Sequence, residues 1–320
     1  MREVVFLRNN EKKWRIIETK ISNSYDFSND ELSFYFTDLS SDLAYAQSNY
    51  PSSKTTIYLN ELCASLYLGL RKKERNWFRK LIHFFSFEIP MEVYRSKNAM
   101  FLSLFVFGLS IIFGAISTFI DPDFPKLILG EEYVLTTLEF IDHNEPMAIY
   151  GLTEEALMFF QITINNIRVA MLTFISGVFF GIGSYIQLFR NGIMLGSFQY
   201  FFQNQEVLYT SLLTIWIHGT IEISSIVIAG GAGITLGHGL LFPQNLPRKK
   251  SLLLSAKRGT TIILGLIPMF IIAGFLESFA TRHVEWPAWL KIMIILLSAL
   301  LILGYFVYLP WKLNREKQNA

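Results

Sequence analysis

The chain has 320 residues, of which 52% are hydrophobic, 15% aromatic and 17% charged, and its mean hydropathy is +0.36. A soluble domain carries about a quarter charged residues, so this composition excludes an ordinary water-soluble globule and calls for a second solvent. The net charge of +2 hides a strong segregation of sign along the chain, and the single cysteine, Cys63, excludes a disulfide-stapled fold.

The first 98 residues read as a polar, helical segment. MREVVFLRNNEKKWR lacks the apolar core of a signal peptide, so this segment is expected to stay in the cytoplasm. SNDE at 28–31 has the form of a capping box, with Ser28 and Glu31 exchanging bonds. Behind it Leu32, Phe34, Tyr35, Phe36, Leu39, Leu43 and Tyr45 form an apolar stripe at helical spacing. A further helix is expected after PSS at 51–53. NWFRKLIHFFSFEIP mixes Arg79 and Lys80 with Trp77, Phe78, Leu81, Ile82, Phe84 and Phe85. It suits either a helix lying in the headgroup plane or a core helix of the N-terminal domain, closed by Pro90.

Membrane segments follow. Ala99 to Ile120 carries no charge and has the roughly 20 residues needed to cross. From Asp121 to Glu155 nine acidic residues face one Lys126. Ile167 to Phe189 reads as a second span, and 191–242 is long enough for two passes, with QNQE at 203–206 as the turn. Thr260 to Phe279 and Trp289 to Leu309 complete the set. Basic clusters sit before the first span, at 247–258 and in the tail, which places these three inside and the acidic segment 121–164 outside. Six crossings satisfy that pattern, as do four with a re-entrant pair at 191–242. Trp286 and Trp289, then Tyr305, Tyr308 and Trp311, mark the two interfaces of the last span. The expected architecture is all-α. It comprises a cytoplasmic helical domain at 1–98, a transmembrane bundle at 99–311 and a cytoplasmic tail at 312–320.

Small residues recur four apart, at Gly177 and Gly181, Gly192 and Gly196, and Gly233 and Gly237. In lipid such pairs let helix backbones approach closely. AGGAG at 229–233 is the candidate for a broken helix lining a path. His218 and Glu222 stand at i and i+4 within an otherwise apolar run, so they share one helix face. Ionisable groups at such depth are rare and point into a bundle or a wet cavity. The pair is read first as a polar lock between helices, with Arg258 or Asn191 as partners; a proton relay or ion-binding position is the alternative. A zinc protease would show HExxH. This chain has HGTIE, and His238 lies twenty residues further on, so spacing gives no support to metal binding by His218, Glu222, His238 and Glu277. No metal, cofactor or catalytic residue is expected. Glu277 is placed near the outer end of its span, where water can solvate it. NNIR at 165–168, which contains Asn166, and RNG at 190–192, which contains Asn191, are placed at opposite ends of the second span. The basic runs adjoin spans, where anionic lipid accounts for them without nucleic acid.

Three blocks carry a resemblance: NNIRVAMLTFISGVFFGIGSYIQLFRNGIMLG, HGTIEISSIVIAGGAGITLG and AKRGTTIILGLIPMFIIAGFLESF. In this order they resemble the signature blocks of the stage II sporulation protein M family of integral membrane proteins. The resemblance singles out Asn166, Gly177, Gly181, Asn191, Gly192, Gly196, His218, Gly219, Glu222, Gly233, Gly237, Arg258, Gly259, Glu277 and Phe279. It implies a membrane anchor in a complex with peptidoglycan-degrading enzymes or, in relatives from bacteria that do not sporulate, a gene neighbourhood with a MoxR-type ATPase. The long N-terminal domain departs from the short sporulation form and points away from a sporulation role. The expected function is therefore a non-enzymatic component or scaffold of a bacterial envelope complex in the inner membrane, homo-oligomeric and in contact with other membrane proteins. The alternative is a transporter or channel using His218 and Glu222.

Overall fold

The computed structural model describes residues 2–22, 27, 29–73, 77–143, 145–147 and 154–319, and among these the chain is all helical. It divides into two compact units, Met1–Ile82 and His83–Ala320.

In the first unit α1 (Glu3–Ser22), α2 (Asn29–Asn49) and α3 (Lys54–Lys73) share one core. Leu32, Leu39 and Ala46 on α2 recur every seven residues and are fully buried, as are Leu59 and Leu66 on α3. That repeat is the seam by which helices pack side by side. Trp14 of α1 fills the middle of the core and donates its indole N–H to Asp42 Oδ2 at 2.8 Å. Lys13 bridges Asp38 and Asp42 at 2.9 and 2.5 Å. Phe34, expected in the stripe, points outward instead, because it lies off the seven-residue seam. The capping box rests on Ser28, outside the described residues. α2 nevertheless starts at Asn29.

α4 (Trp77–His83) leaves Trp77, Phe78, Leu81 and Ile82 exposed beside Arg79 and Lys80. It is therefore no core helix, and its exposed surface mixes apolar and basic side chains. Pro90 does not close it. The chain runs through a wide turn, Phe84–Glu88, into α5 (Ile89–Arg95), where Pro90 occupies the first turn, the place that tolerates its missing N–H. Ile89 and Val93 of α5 enter the core of the second unit. The boundary between units thus falls at 82–83, ahead of the expected 98.

The second unit is built around α11 (Leu208–Leu241), whose 34 residues extend about 51 Å. α6 (Lys97–Ile120), α9 (Glu155–Ile175), α10 (Ile182–Asn204), α12 (Arg248–Phe275) and α13 (Ala288–Leu303) pack on it. Outside this group stand α7 (Phe124–Leu129), α8 (Glu131–Asp142) and α14 (Leu309–Asn319), the last a continuation of α13 through a wide turn. Among the described residues, five helical stretches are long and apolar enough to cross a membrane: Lys97–Ile120, Glu155–Val178, Leu208–Leu241, Arg248–Ala280 and Ala288–Asn319. α10 has spanning length, about 35 Å for its 23 residues, but a more polar composition. A membrane environment is written into the packing itself. α6 buries Ala99, Ser103, Phe107, Ser110, Gly114 and Thr118, and turns Phe105, Leu109, Ile112, Phe113 and Phe119 outward. Small and polar inside with large and apolar outside is the reverse of a soluble helix, and it is what helices do in lipid.

One expected span moves, and two open readings close. The apolar run 167–189 is not one span. α9 begins at Glu155, inside the expected external segment, and the chain reverses at 176–181, where Phe180 (φ 55°) and Gly181 (φ 82°) are left-handed. AGGAG at 229–233 is unbroken helix within α11, because Gly230, Gly231 and Gly233 are pressed against side chains and backbone of neighbouring helices. The 191–242 region is two full-length helices joined by a short turn at 205–207 rather than two half-helices. NNIR and RNG accordingly lie in the middle of α9 and α10, not at helix ends.

The bundle is fastened at small residues. A Cβ on Gly196 would strike the Ile111 carbonyl of α6, one on Gly177 would strike Gly233, and one on Gly237 would strike Gly181. Ser103 Oγ donates to the Val227 carbonyl at 2.6 Å, and Thr118 Oγ1 to Ser197 Oγ at 2.8 Å, so the same seams carry interhelical hydrogen bonds.

Candidate functional site: a carboxylate–histidine cluster inside the bundle

α11 presents His218 and Glu222 one turn apart on one face. Opposite them α12 ends in a wide turn, Leu276–Ala280, that carries Glu277. Turns of this kind insert a residue into a helix and often occur at functional positions. One nitrogen or oxygen of each of His218, Glu222 and Glu277 lies within 4.8 Å of the others. His218 Nε2 is 3.8 Å from Glu277 Oε1, beyond hydrogen-bonding range. Its Nδ1 is 2.9 Å from Thr281 Oγ1.

That contact orients the imidazole ring. The Thr281 hydroxyl also lies 3.2 Å from the Leu276 carbonyl, and a hydroxyl has one proton to give. With that proton on Leu276, Thr281 accepts from His218 Nδ1–H and Nε2 is the ring's acceptor; with the proton given to Nδ1, Nε2–H faces the carboxylates.

The cluster lines a cavity of about 420 Å³, together with Asn166 and Val169 of α9, Asn191 of α10 and Tyr133 of α8. Burial of Tyr133 pushes its hydroxyl up to about 12. Asn166 is 4% exposed and lies close enough to the Glu222 carboxylate to interact with it, yet its Nδ2 has no hydrogen-bond partner of standard length. Asn191 Nδ2 donates to the Gln187 carbonyl at 2.8 Å. No Lys or Arg is among the described residues lining the cavity.

Of the six polar residues singled out from sequence, His218, Glu222, Glu277, Asn166 and Asn191 meet at this cavity. Arg258 does not. Its Nε lies 3.0 Å from Glu92 Oε2, an ion pair that ties α12 to α5 about 28 Å along the helix from Glu277. Glu277 is not solvated at an interface, since its side chain is only 15% exposed and faces α11. His238 packs against Phe242 at the other end of α11, about 30 Å from His218. Two participants escaped the sequence reading: Thr281 and Tyr133 carry no mark that separates them from other hydroxyl residues. Lys291, outside the cavity, does carry one: it stands one turn inside the last apolar run, where a charge is rare. It is buried, and its Nζ donates to the Val284 carbonyl at 3.0 Å.

A family model described as Stage II sporulation protein M matches residues 103–282. The chain belongs to this family. The stage II sporulation protein M region runs from α6 through α12 and includes every member of the cluster, Thr281 among them. A second model, described as a domain of unknown function (DUF8413), matches residues 4–72 and so covers α1 to α3 almost entirely. Comparison with curated proteins and with solved structures gives no match.

Proposed function

We propose that this stage II sporulation protein M family member is a non-enzymatic membrane component of a bacterial envelope complex, its bundle serving as anchor and its N-terminal unit as a docking module. The observation that carries this reading is the division of labour between the units. The bundle is seamed by backbone contacts at glycine, which gives a stiff anchor. The three-helix unit has a core of its own and keeps Val4, Ile16, Phe34 and Ile57 exposed for partners. The protein resides in the inner membrane with both termini in the cytoplasm, since Arg248, Lys249, Lys250 and the Lys312–Lys317 tail are basic and 121–155 is acidic. With α10 as the sixth crossing, the charges and the helices agree. Its partners are the lipid bilayer, further copies of itself, and other envelope proteins, a MoxR-type ATPase system among them.

Purification from native membranes in mild detergent, with counting of co-purifying chains, tests the proposal. A stoichiometric cytoplasmic or wall-active partner supports it, and a homo-oligomer without partners overturns it. The same orientation requires a cysteine replacing Glu139 to react with an impermeant reagent from outside and one replacing Lys249 to stay unreactive.

The cavity favours a second reading, a transporter or channel that uses His218 and Glu222. Flux in reconstituted vesicles that Glu222→Gln abolishes without unfolding would establish it.

A further inference from the structure

We propose that His218, Glu222 and Glu277 form a binding site for a divalent transition-metal cation of the zinc class. This goes beyond the anchoring role, which does not need it.

Three lone-pair donors converge from two helices. A zinc-class ion sits about 2.1 Å from nitrogen and oxygen ligands, which sets the edges of its coordination tetrahedron near 3.4 Å. The His218 Nε2–Glu277 Oε1 separation of 3.8 Å is too long for a hydrogen bond and within a few tenths of an ångström of that edge. The whole triad, inside 4.8 Å, closes on an ion by side-chain movements of about 1 Å.

The support around the ligands has the form a metal site requires. A ligating histidine ordinarily gives its other N–H to an acceptor that fixes tautomer and ring orientation. Thr281 Oγ1 stands in that position, 2.9 Å from His218 Nδ1, and becomes the acceptor when a metal takes the Nε2 lone pair.

Charge supplies a further argument. Two ionised carboxylates with a neutral imidazole carry two negative charges in an interior where no Lys or Arg lines the described cavity. A divalent cation cancels both, which removes the main penalty of holding carboxylates away from water. Mixed imidazole and carboxylate ligation suits zinc, iron or manganese better than the all-oxygen shells of calcium or magnesium.

Asn166 adds to the polar wall: it is 4% exposed, lines the same cavity and lies beside the Glu222 carboxylate, where it holds that ligand in place. Three protein ligands leave a fourth position open toward the cavity. A water or anion there would complete the coordination.

The full-length protein, purified in detergent without chelator, stripped and then reloaded with Zn²⁺, tests the site by metal analysis after gel filtration. The expected result is one tightly held zinc per chain, reduced to below about a tenth of that occupancy in Glu277→Gln and His218→Ala. Thr281→Val keeps all three ligands and should weaken affinity about 10- to 100-fold. Where a ligand variant fails to remain monodisperse, Co²⁺ in the wild-type chain decides. The intense visible bands of a four- or five-coordinate site support the proposal, and the spectrum of hydrated Co²⁺ overturns it. Wild-type zinc uptake no greater than that of Glu277→Gln also overturns it, and leaves the triad holding a proton instead of a metal.

Discussion

The contact between α6 and α10 can be broken by a single methyl group. Replacing Gly196 with Ala places a Cβ on the Ile111 carbonyl oxygen, 2.8 Å from the Ile111 carbonyl carbon and 3.0 Å from the Ala115 amide nitrogen. All three atoms are backbone, so no rotamer change relieves the overlap, and α6 must retreat by about 1 Å. A radial gap of that size forfeits a quarter to a half of each van der Waals contact along the seam. Overpacking costs about 1–3 kcal/mol, and a clash with backbone alone falls in the upper part of that range, about 2–3 kcal/mol. Against it stands the better helix propensity of Ala, about 1 kcal/mol. The net loss is about 1–2 kcal/mol, which for a unit of this size lowers the melting temperature by about 2–8 °C.

Gly108 provides the control. It lies in α6 with nothing within 4 Å of its missing Cβ, so Gly108→Ala gains propensity alone and should raise the melting temperature by about 2–4 °C. Thermal unfolding of both variants in one detergent measures the difference. If Gly196→Ala melts at or above the wild type, the close approach of α6 and α10 is wrong.

Three further outcomes are expected. Trp14→Phe removes the bond to Asp42 and should destabilise the N-terminal unit by about 1.5–3 kcal/mol, read by urea-dependent proteolysis; a change below about 0.5 kcal/mol would show the bond to be idle. The same unit should lose stability in alkali. Burial works to lower Lys13, but its bonds to Asp42 and Asp38 outweigh this and raise it, and burial with the neighbouring Glu18 pushes Tyr58 up to about 12. Both folded values exceed the unfolded ones, so the contribution is complete below about pH 10 and disappears as pH rises through the folded values; a flat profile from pH 9 to about 12 would contradict this. Arg258→Gln breaks a partly exposed pair with Glu92 and should cost less than about 1 kcal/mol, whereas a loss above about 2 kcal/mol in thermal unfolding would return Arg258 to a buried network.

Much of the architecture was legible in the sequence because lipid imposes a coarse signal. An uncharged run such as Ala99–Ile120 can do little except cross, and it does so as α6. The second span was misplaced because hydropathy cannot see a reversal within an apolar run. Gly177 and Gly181 have the four-residue spacing of a packing seam, and only the left-handed backbone at Phe180 and Gly181 shows that the chain turns there. AGGAG misled in the opposite sense, since adjacent glycines weaken an isolated helix but here admit neighbouring helices on several sides. The candidate site was half legible. The i, i+4 spacing of His218 and Glu222 is local and visible. The approach of Glu277 and Thr281, more than fifty residues away, depends on how α12 ends and has no local trace.

The inverted cross-section of α6 has a consequence for how sequence variation in this protein is to be weighed. In a water-soluble helix the large apolar positions are the intolerant ones and the small polar positions drift freely. Here Phe105, Leu109 and Phe113 face outward and accept any side chain oily enough for lipid, while Ser103, Ser110 and Gly114 accept almost nothing larger than themselves. Conservatism measured by hydrophobicity alone would rank these positions in reverse. A serine-to-leucine exchange that looks like an improved membrane span would be the one that takes the bundle apart.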